Sequence, residues 1–254
     1  MNRLFYDLHI HSCLSPCGDD DMTAGNIAGM AKIKGLDVIA LTDHNTCANC
    51  PAFFAACKKQ GIVPIAGMEL TTAEEIHMIC LFKRLDDAVR FESNFCKYKI
   101  KIKNKPDIFG NQYILNENDE IIGTEDYLLP PASSLSLEEA YTLATEHGGL
   151  CFPAHADKIS NGIIGILGTM PEKPYFNCVE ISANASANAS ANADKNDFIR
   201  KYPSVKGKII LRNSDAHYLW DISEAVNYIE INSSPNNGSP EMIREQLFMF
   251  LKGD

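Results

Sequence analysis

Alternating strand and helix signals along 254 residues predict an α/β fold, with a closed barrel as its simplest architecture. Two observations carry that prediction. Short apolar runs of strand length recur between segments with helical spacing of apolar residues, and several of these runs end in histidine or a carboxylate, as strands do when their carboxyl ends meet at one mouth. Residues 4–10 form the first apolar run. In 23–34, Ile27, Met30, Ala31 and Ile33 share one helical face. The pattern repeats as a strand at 36–41, a helix at 48–59, strands at 62–66 and 75–82, and a helix at 85–95. The second half continues with a capped helix at 136–147, strands at 150–152, 178–181, 209–211 and 228–231, and a closing helix at 240–251. The alternation predicts a parallel sheet.

Composition narrows the class further. Hydrophobic content of 45% and charged content of 22% suit one globular domain, placed at 1–254. No run reaches the roughly 20 apolar residues of a membrane span, and Asp7 and His9 interrupt the apolar start, so neither membrane insertion nor a secretory signal is expected and the protein reads as cytoplasmic. Nine cysteines are an odd number for a disulfide framework, so reduced thiols are expected. A net charge of −10 argues against strong nucleic-acid binding; three divalent cations would bring it to about −4.

Two segments break the rhythm. Lysines at 97, 99, 101, 103 and 105 would put five charges on one face of a strand, read either as a solvated edge strand or as a phosphate-attracting rim. They open a stretch, about 97–135, expected to be an inserted subdomain or lid, with hairpin-like turn residues at 115–120. Residues 182–193 hold three copies of Ser-Ala-Asn-Ala, a low-complexity loop or short helix, whose sequons at Asn184 and Asn188 matter only in a secreted protein.

Six of the seven histidines lie in or just beyond a predicted strand. His9 and His11 are two apart, so a strand sends both imidazoles to one face. Asp215 and His217 repeat that spacing. Of the adjacent Asp43 and His44 only one can ligate while strand geometry persists, and His44 is favoured, with Asp43 as its partner from behind. Glu69 is placed to bridge two metals, and His77 and His155 complete the set. His147, before two glycines, is structural, a cation at a helix C-terminus. Cys47-x-x-Cys50 has no second pair and falls at a helix start, so it reads as structural thiols.

The order Asp7-Leu8-His9-Ile10-His11-Ser12, Leu41-Thr42-Asp43-His44-Asn45, Gly67-Met68-Glu69, His77, Pro153-Ala154-His155 and Asn213-Ser214-Asp215-Ala216-His217 resembles the PHP family, named for polymerase and histidinol phosphatase. The resemblance implies a distorted (β/α)7 TIM-like barrel with two or three divalent metal ions (Mn, Fe or Zn) at its carboxyl mouth, acting as a phosphoesterase. It implies one metal on His9, His11, Glu69 and Asp215, a second on Glu69, His77 and His155, and a third on His44, His217 and a ligand from the loop after His11. That ligand is Cys17 or Asp19, and the spacing leaves both open. Asp43, or His217 if it is not a ligand, is the candidate proton carrier. Lys158 and Arg212 are the candidate phosphate grips. The expected substrate is a small phosphorylated metabolite or nucleotide, attacked by a metal-activated water. A binuclear amidohydrolase cleaving C–N bonds and a non-catalytic metal-binding barrel are the competing readings.

Overall fold

The computed structural model describes residues 2–182, 191–231 and 238–253. The sequons and most of the Ser-Ala-Asn-Ala repeat lie outside these residues. In chain order the elements are β1 (Asn2–Ile10), α1 (Ala24–Ile33), β2 (Val38–Leu41), α2 (Cys50–Gln60), β3 (Val63–Thr71), β4 (His77–Phe82), α3 (Leu85–Phe95), α4 (Pro106–Phe109), β5 (Tyr113–Leu115), β6 (Ile121–Thr124), α5 (Leu137–Glu146), β7 (Leu150–Pro153), α6 (Ile163–Leu167), β8 (Cys178–Ile181), α7 (Ala191–Lys201), β9 (Ile209–Arg212), β10 (Tyr228–Ile231) and α8 (Pro240–Lys252). Local chemistry sets several boundaries. The Thr23 hydroxyl accepts from Asn26 N to start α1, Ser136 and Glu139 form a reciprocal capping box on α5, and Gly61 ends α2 at φ 71°.

The sheet is curled and mixed in direction. Six strands pair in the order β10-β1-β2-β3-β4-β7, and β8 and β9 form a separate parallel pair. Single contacts connect the two: Ala156 N donates to Glu180 O at 2.8 Å, and Ile10 bridges Ala216 in parallel fashion. The expectation of a parallel sheet is corrected at β10, which pairs antiparallel with β1, and at β4, which runs antiparallel to both β3 and β7. For β4 against β3 the cause is the short link between Thr71 and His77, which cannot hold a crossover helix and so can only make a hairpin.

Alternation along the strands divides the buried side chains into two layers. Leu4, Tyr6, Leu8, Val38, Ala40, Val63, Ile65, Ile79, Leu81, Phe152 and Leu211 form an inner core, closed at the amino end by Ile243, Leu247, Phe248 and Leu251 of α8. Ile39, Leu41, Met68, Met78, Cys80 and Phe82 face outward, in one cluster with residues of α1, α2, α3 and α5. Burying one such side chain stabilises by roughly 1.5–3 kcal/mol, so these two layers rather than any ion pair hold the scaffold.

The lysine-rich segment is not the edge strand that its spacing suggested. It passes through a short turn at Cys96–Tyr98 and runs irregularly to α4, touching strand geometry only where Lys103 bridges Tyr127. The lysines lean on aromatic rings instead. The Lys97 ammonium lies 4.9 Å from the Tyr98 ring centre, and those of Lys101 and Lys103 lie 5.7 and 5.9 Å from that of Tyr127. The β5–β6 hairpin is present as its turn residues predicted. It docks on the loop after β1: Tyr113 N donates to Cys13 O, and Asp119 accepts from Gly25 N and Thr23 Oγ1. Among the described residues no helix is long and apolar enough to cross a membrane.

Candidate metal centre

Strand alternation alone would not put His9 and His11 on the inner face of the curled sheet. In the lower half of β1 the even positions Leu4, Tyr6 and Leu8 face inward, so His9 would point outward with Phe5. The ladder with β2 shifts between Asp7 and Ile10, with two residues of β1 set against one of β2. This bulge reverses the parity. Ile10 joins the outer layer, and His9 and His11 turn into the interior, both fully buried. On β3 and β4 no correction is needed, because Glu69 continues the column of Val63 and Ile65, and His77 that of Ile79 and Leu81. His44 likewise continues the column of Val38 and Ala40, and it forms a single parallel bridge with Glu69. His155 and Asp215 reach the interior by another device: both lie at positive φ, 28° and 53°, conformations rare for residues with a side chain and concentrated at functional sites.

The side chains so aimed converge. His9 Nε2 and His11 Nε2 are 3.1 Å apart, and Asp215 Oδ1 lies 3.2 and 3.4 Å from them. Glu69 offers Oε1 to His9 at 3.4 Å and Oε2 to His11 at 3.3 Å. Four donors about 2.1 Å from a tetrahedrally held cation would be spaced by about 3.4 Å, so the cluster has the edge lengths of a coordination shell. Glu69 extends it. Its Oε1 lies 2.8 Å from His77 Nδ1 and 3.1 Å from His155 Nε2, and its Oε2 lies 3.0 Å from His44 Nδ1. Glu69 Oε2 and His44 Nδ1 are buried without a hydrogen-bond partner, an expensive arrangement for a neutral network and an ordinary one for metal donors. Among the described residues three groups could each hold an ion: His9, His11, Glu69 and Asp215; His44, Glu69 and His77; and His11, His44 and His217.

Partners behind the ring fix which nitrogen faces it. His9 Nδ1 lies 3.0 Å from Glu180 Oε1, so it donates there and leaves Nε2 its lone pair. Ser15 Oγ donates to Asp43 Oδ1 at 2.7 Å, so it accepts from His11 Nδ1 at 2.9 Å and frees His11 Nε2 in the same way. Asp43 is thereby occupied, since it also accepts from Ser12 N and Ser12 Oγ, each at 2.7 Å. His217 Nδ1 donates to Asp215 O at 2.8 Å. Sequence reasoning missed Glu180 and Ser15. The available signal for Glu180 was a carboxylate inside the apolar strand Cys-Val-Glu-Ile, where a buried charge needs a partner.

Charge follows the geometry. Burial would push Glu69 up, but His77, His9 and His44 hold its carboxyl well below the usual range. Burial would push His11 and His44 down; Asp215 and Glu69 instead hold His11 up at about 9, and Glu69 holds His44 up at about 9. His217 goes the other way, to about 3, through burial and the neighbouring His11. Facing lone pairs at this spacing need a cation between them, supplied either by protons or by metal.

The remaining candidates separate. Cys17 is exposed, near enough to His44 to act on its charge, and joins none of the three donor groups. Asp19 turns an oxygen onto Asp21 N at 2.9 Å. Lys158 pairs with Asp215 Oδ2 at 2.7 Å and lines, with His217 and Asp221, a cavity of about 490 Å³ beside the cluster. Arg212 follows Ile210 onto the outer side of β9 and is not brought into that cavity. Cys47 and Cys50 are buried, and Cys47 Sγ donates to Gly67 O at 3.2 Å. His147 Nδ1 donates to Leu143 O at 2.8 Å at the end of α5.

The PHP domain family model matches residues 7–126. The 5′-3′ exoribonuclease of Haemophilus influenzae is 37% identical over 79 residues, which are 30% of this chain and 28% of that protein. The lesion-specific endonuclease PfuEndoQ from Pyrococcus furiosus superposes with a TM-score of 0.66 at 21% identity, over 99% of this chain and 56% of that one. A Bifidobacterium adolescentis protein described as a metal-dependent phosphoesterase superposes with a TM-score of 0.54 at 13% identity, over 99% of both chains. At these identities the two superpositions show a shared fold. The chain spans about half the length of the endonuclease, and the aligned segment little more than a quarter of the exoribonuclease.

Proposed function

This chain is a PHP-domain protein, and from that premise we propose that it is a metal-dependent phosphoesterase acting on a small phosphorylated metabolite or a nucleotide. The observation that carries the reading is the convergence of His9, His11, Glu69 and Asp215 at coordination-shell spacing, with Glu69 also in reach of His44, His77 and His155. These residues would hold two or three divalent ions. Bound there, the ions would supply a water acidified to a pKa of about 7 and positive charge for the phosphoryl oxygens.

The protein's own residues have separate tasks in this reading. Glu180 and the Ser15–Asp43 pair keep His9 and His11 in the tautomer that presents Nε2, so Asp43 is a positioning residue rather than the proton carrier. His217, neutral at physiological pH and committed through Nδ1, offers Nε2 as a ligand or as a proton acceptor. The Lys158 ammonium at the cavity wall grips a phosphate oxygen once Asp215 is engaged elsewhere. Cys17, beside His44, is the loop ligand of choice over Asp19. The insertion at about 97–135 acts as a lid over this mouth. Asn45 Nδ2 ties it down at Leu129 O (2.7 Å) and Pro131 O (3.0 Å), and Asn49 ties it at Tyr113 O and Leu115 N. The exoribonuclease and endonuclease relatives extend the candidate substrates to nucleic-acid phosphodiesters.

Elemental analysis of protein purified without added metal, paired with phosphate release from nucleotides and sugar phosphates, tests the reading. Two to three equivalents of Mn, Fe or Zn and release abolished by His9→Ala support it. Full metal with turnover of N-acyl amino acids and no phosphate release would replace it with the amidohydrolase reading.

A further inference from the structure

The turn that follows His217 displays two aromatic rings to solvent. Tyr218 and Trp220 stack with centroids 4.9 Å apart and planes inclined by 15°, and Trp220 remains 69% exposed. Tyr218 covers one face of the indole, so this exposure belongs largely to the other face and the edge. An indole has a large apolar area whose burial is favourable, so a tryptophan left in water is an unused contact surface. Here the loop is held. Lys34 Nζ donates to the carbonyl oxygens of Trp220 and Ile222 and pairs with Glu224, while Ile222 is buried and Leu219 packs on the outer core. The rings are therefore presented outward by an anchored turn. Their sequence neighbours His217 and Asp221 line the cavity that also holds Lys158.

We propose that Tyr218 and Trp220 are a stacking platform for the nucleobase of the substrate, so that the ester hydrolysed belongs to a nucleotide unit, either free or within a single strand. This rests on the phosphoesterase reading for the position of the phosphate in the cavity beside Lys158. Stacking on an indole tolerates any base, since every base has a π-face, and it contributes about tenfold or more in affinity per base. The pair supplies a preformed two-ring stack that a third ring extends. A sugar phosphate without a base has nothing to place there.

Trp220 is the only tryptophan of the chain, which gives the test its signal. Metal-loaded protein is titrated with AMP, with a short oligodeoxyadenylate and with ribose 5-phosphate while tryptophan emission is followed. A saturable quench by AMP or the oligonucleotide, absent with ribose 5-phosphate, is expected, and the tighter of the two identifies the source of the base. By calorimetry, the preference for the tighter base-bearing ligand over ribose 5-phosphate falls about tenfold in Trp220→Ala and is largely kept in Trp220→Phe. No quench by either base-bearing ligand, or an undiminished preference in Trp220→Ala, overturns the platform. Quench without hydrolysis of any of the three, read as phosphate release from the monoesters and as chain cleavage of the oligonucleotide, leaves the platform standing and removes the phosphoesterase reading instead; hydrolysis without quench does the reverse.

Discussion

The two ends of the same interior columns are built from opposite materials. At the amino end Leu4, Tyr6, Leu8, Val38, Val63 and Ile65 pack against Leu247 and Phe248 of α8, and the ionisable groups of this layer, the Tyr6 phenol and the Cys178 thiol, are both pushed up by burial and so stay uncharged. At the carboxyl end the columns continue as His9, His11, His44, Glu69 and His77, equally buried or nearly so but mutually dependent for charge. The lower layer stabilises by area removed from water and can relax around a change. The upper layer is tolerable only as a set, because each buried charge is compensated by its neighbours. Stability and chemistry are thus stacked along one axis, a few residues apart on the same strands.

Perturbing each end should give opposite signatures. His9→Ala, or stripping metal with a chelator, should lower phosphate release by more than about a thousandfold while the metal-free fold persists, read by circular dichroism beside activity. Phe248→Ala should cost about 3–5 kcal/mol in a denaturant titration yet leave the metal-dependent turnover of the folded fraction close to that of the parent. Turnover lost along with stability would show that the two layers are one unit. Glu180→Gln keeps size and removes the charge behind His9, and it should weaken metal binding by about 10–100-fold as measured by competition with a chromophoric chelator. An effect of comparable size should come from pH. His11 and His44 carry protons up to about pH 9 in the metal-free state and must lose them to ligate, so apparent metal affinity should rise from pH 7 to 9 with proton release visible by calorimetry in two buffers. An affinity that is flat over this range would mean that the ring is already deprotonated.

Much of this site was legible before any coordinates. The i, i+2 spacing of His9 and His11, and the adjacency that favours His44 over Asp43, follow from strand geometry alone, and the structure brings His9, His11, Glu69 and Asp215 together. Features that depend on partners distant in sequence were not legible. Glu180 has meaning only once His9, His155 and Asn213 surround it, and Asp43 looks like a catalytic acid until Ser12 and Ser15 are seen to occupy it. Arg212 failed on parity, since it shares the outer side of β9 with Ile210. The direction of β4 could have been read from the short link before it. The lysine segment misled because regular spacing of charges resembles a strand face even when no neighbouring strand offers a ladder.

The bulge in β1 works like a shift of reading frame inside a folded strand. Upstream of it the chain spells an apolar interior; downstream the same interior column is spelled in imidazoles. A single substitution at the mouth removes one donor. Straightening the bulge with no residue lost would turn His9 and His11 outward together and bring Ile10 into the ring, with the composition untouched. For this protein the irregularity in a nine-residue strand is therefore as much a part of the site as the identity of its histidines.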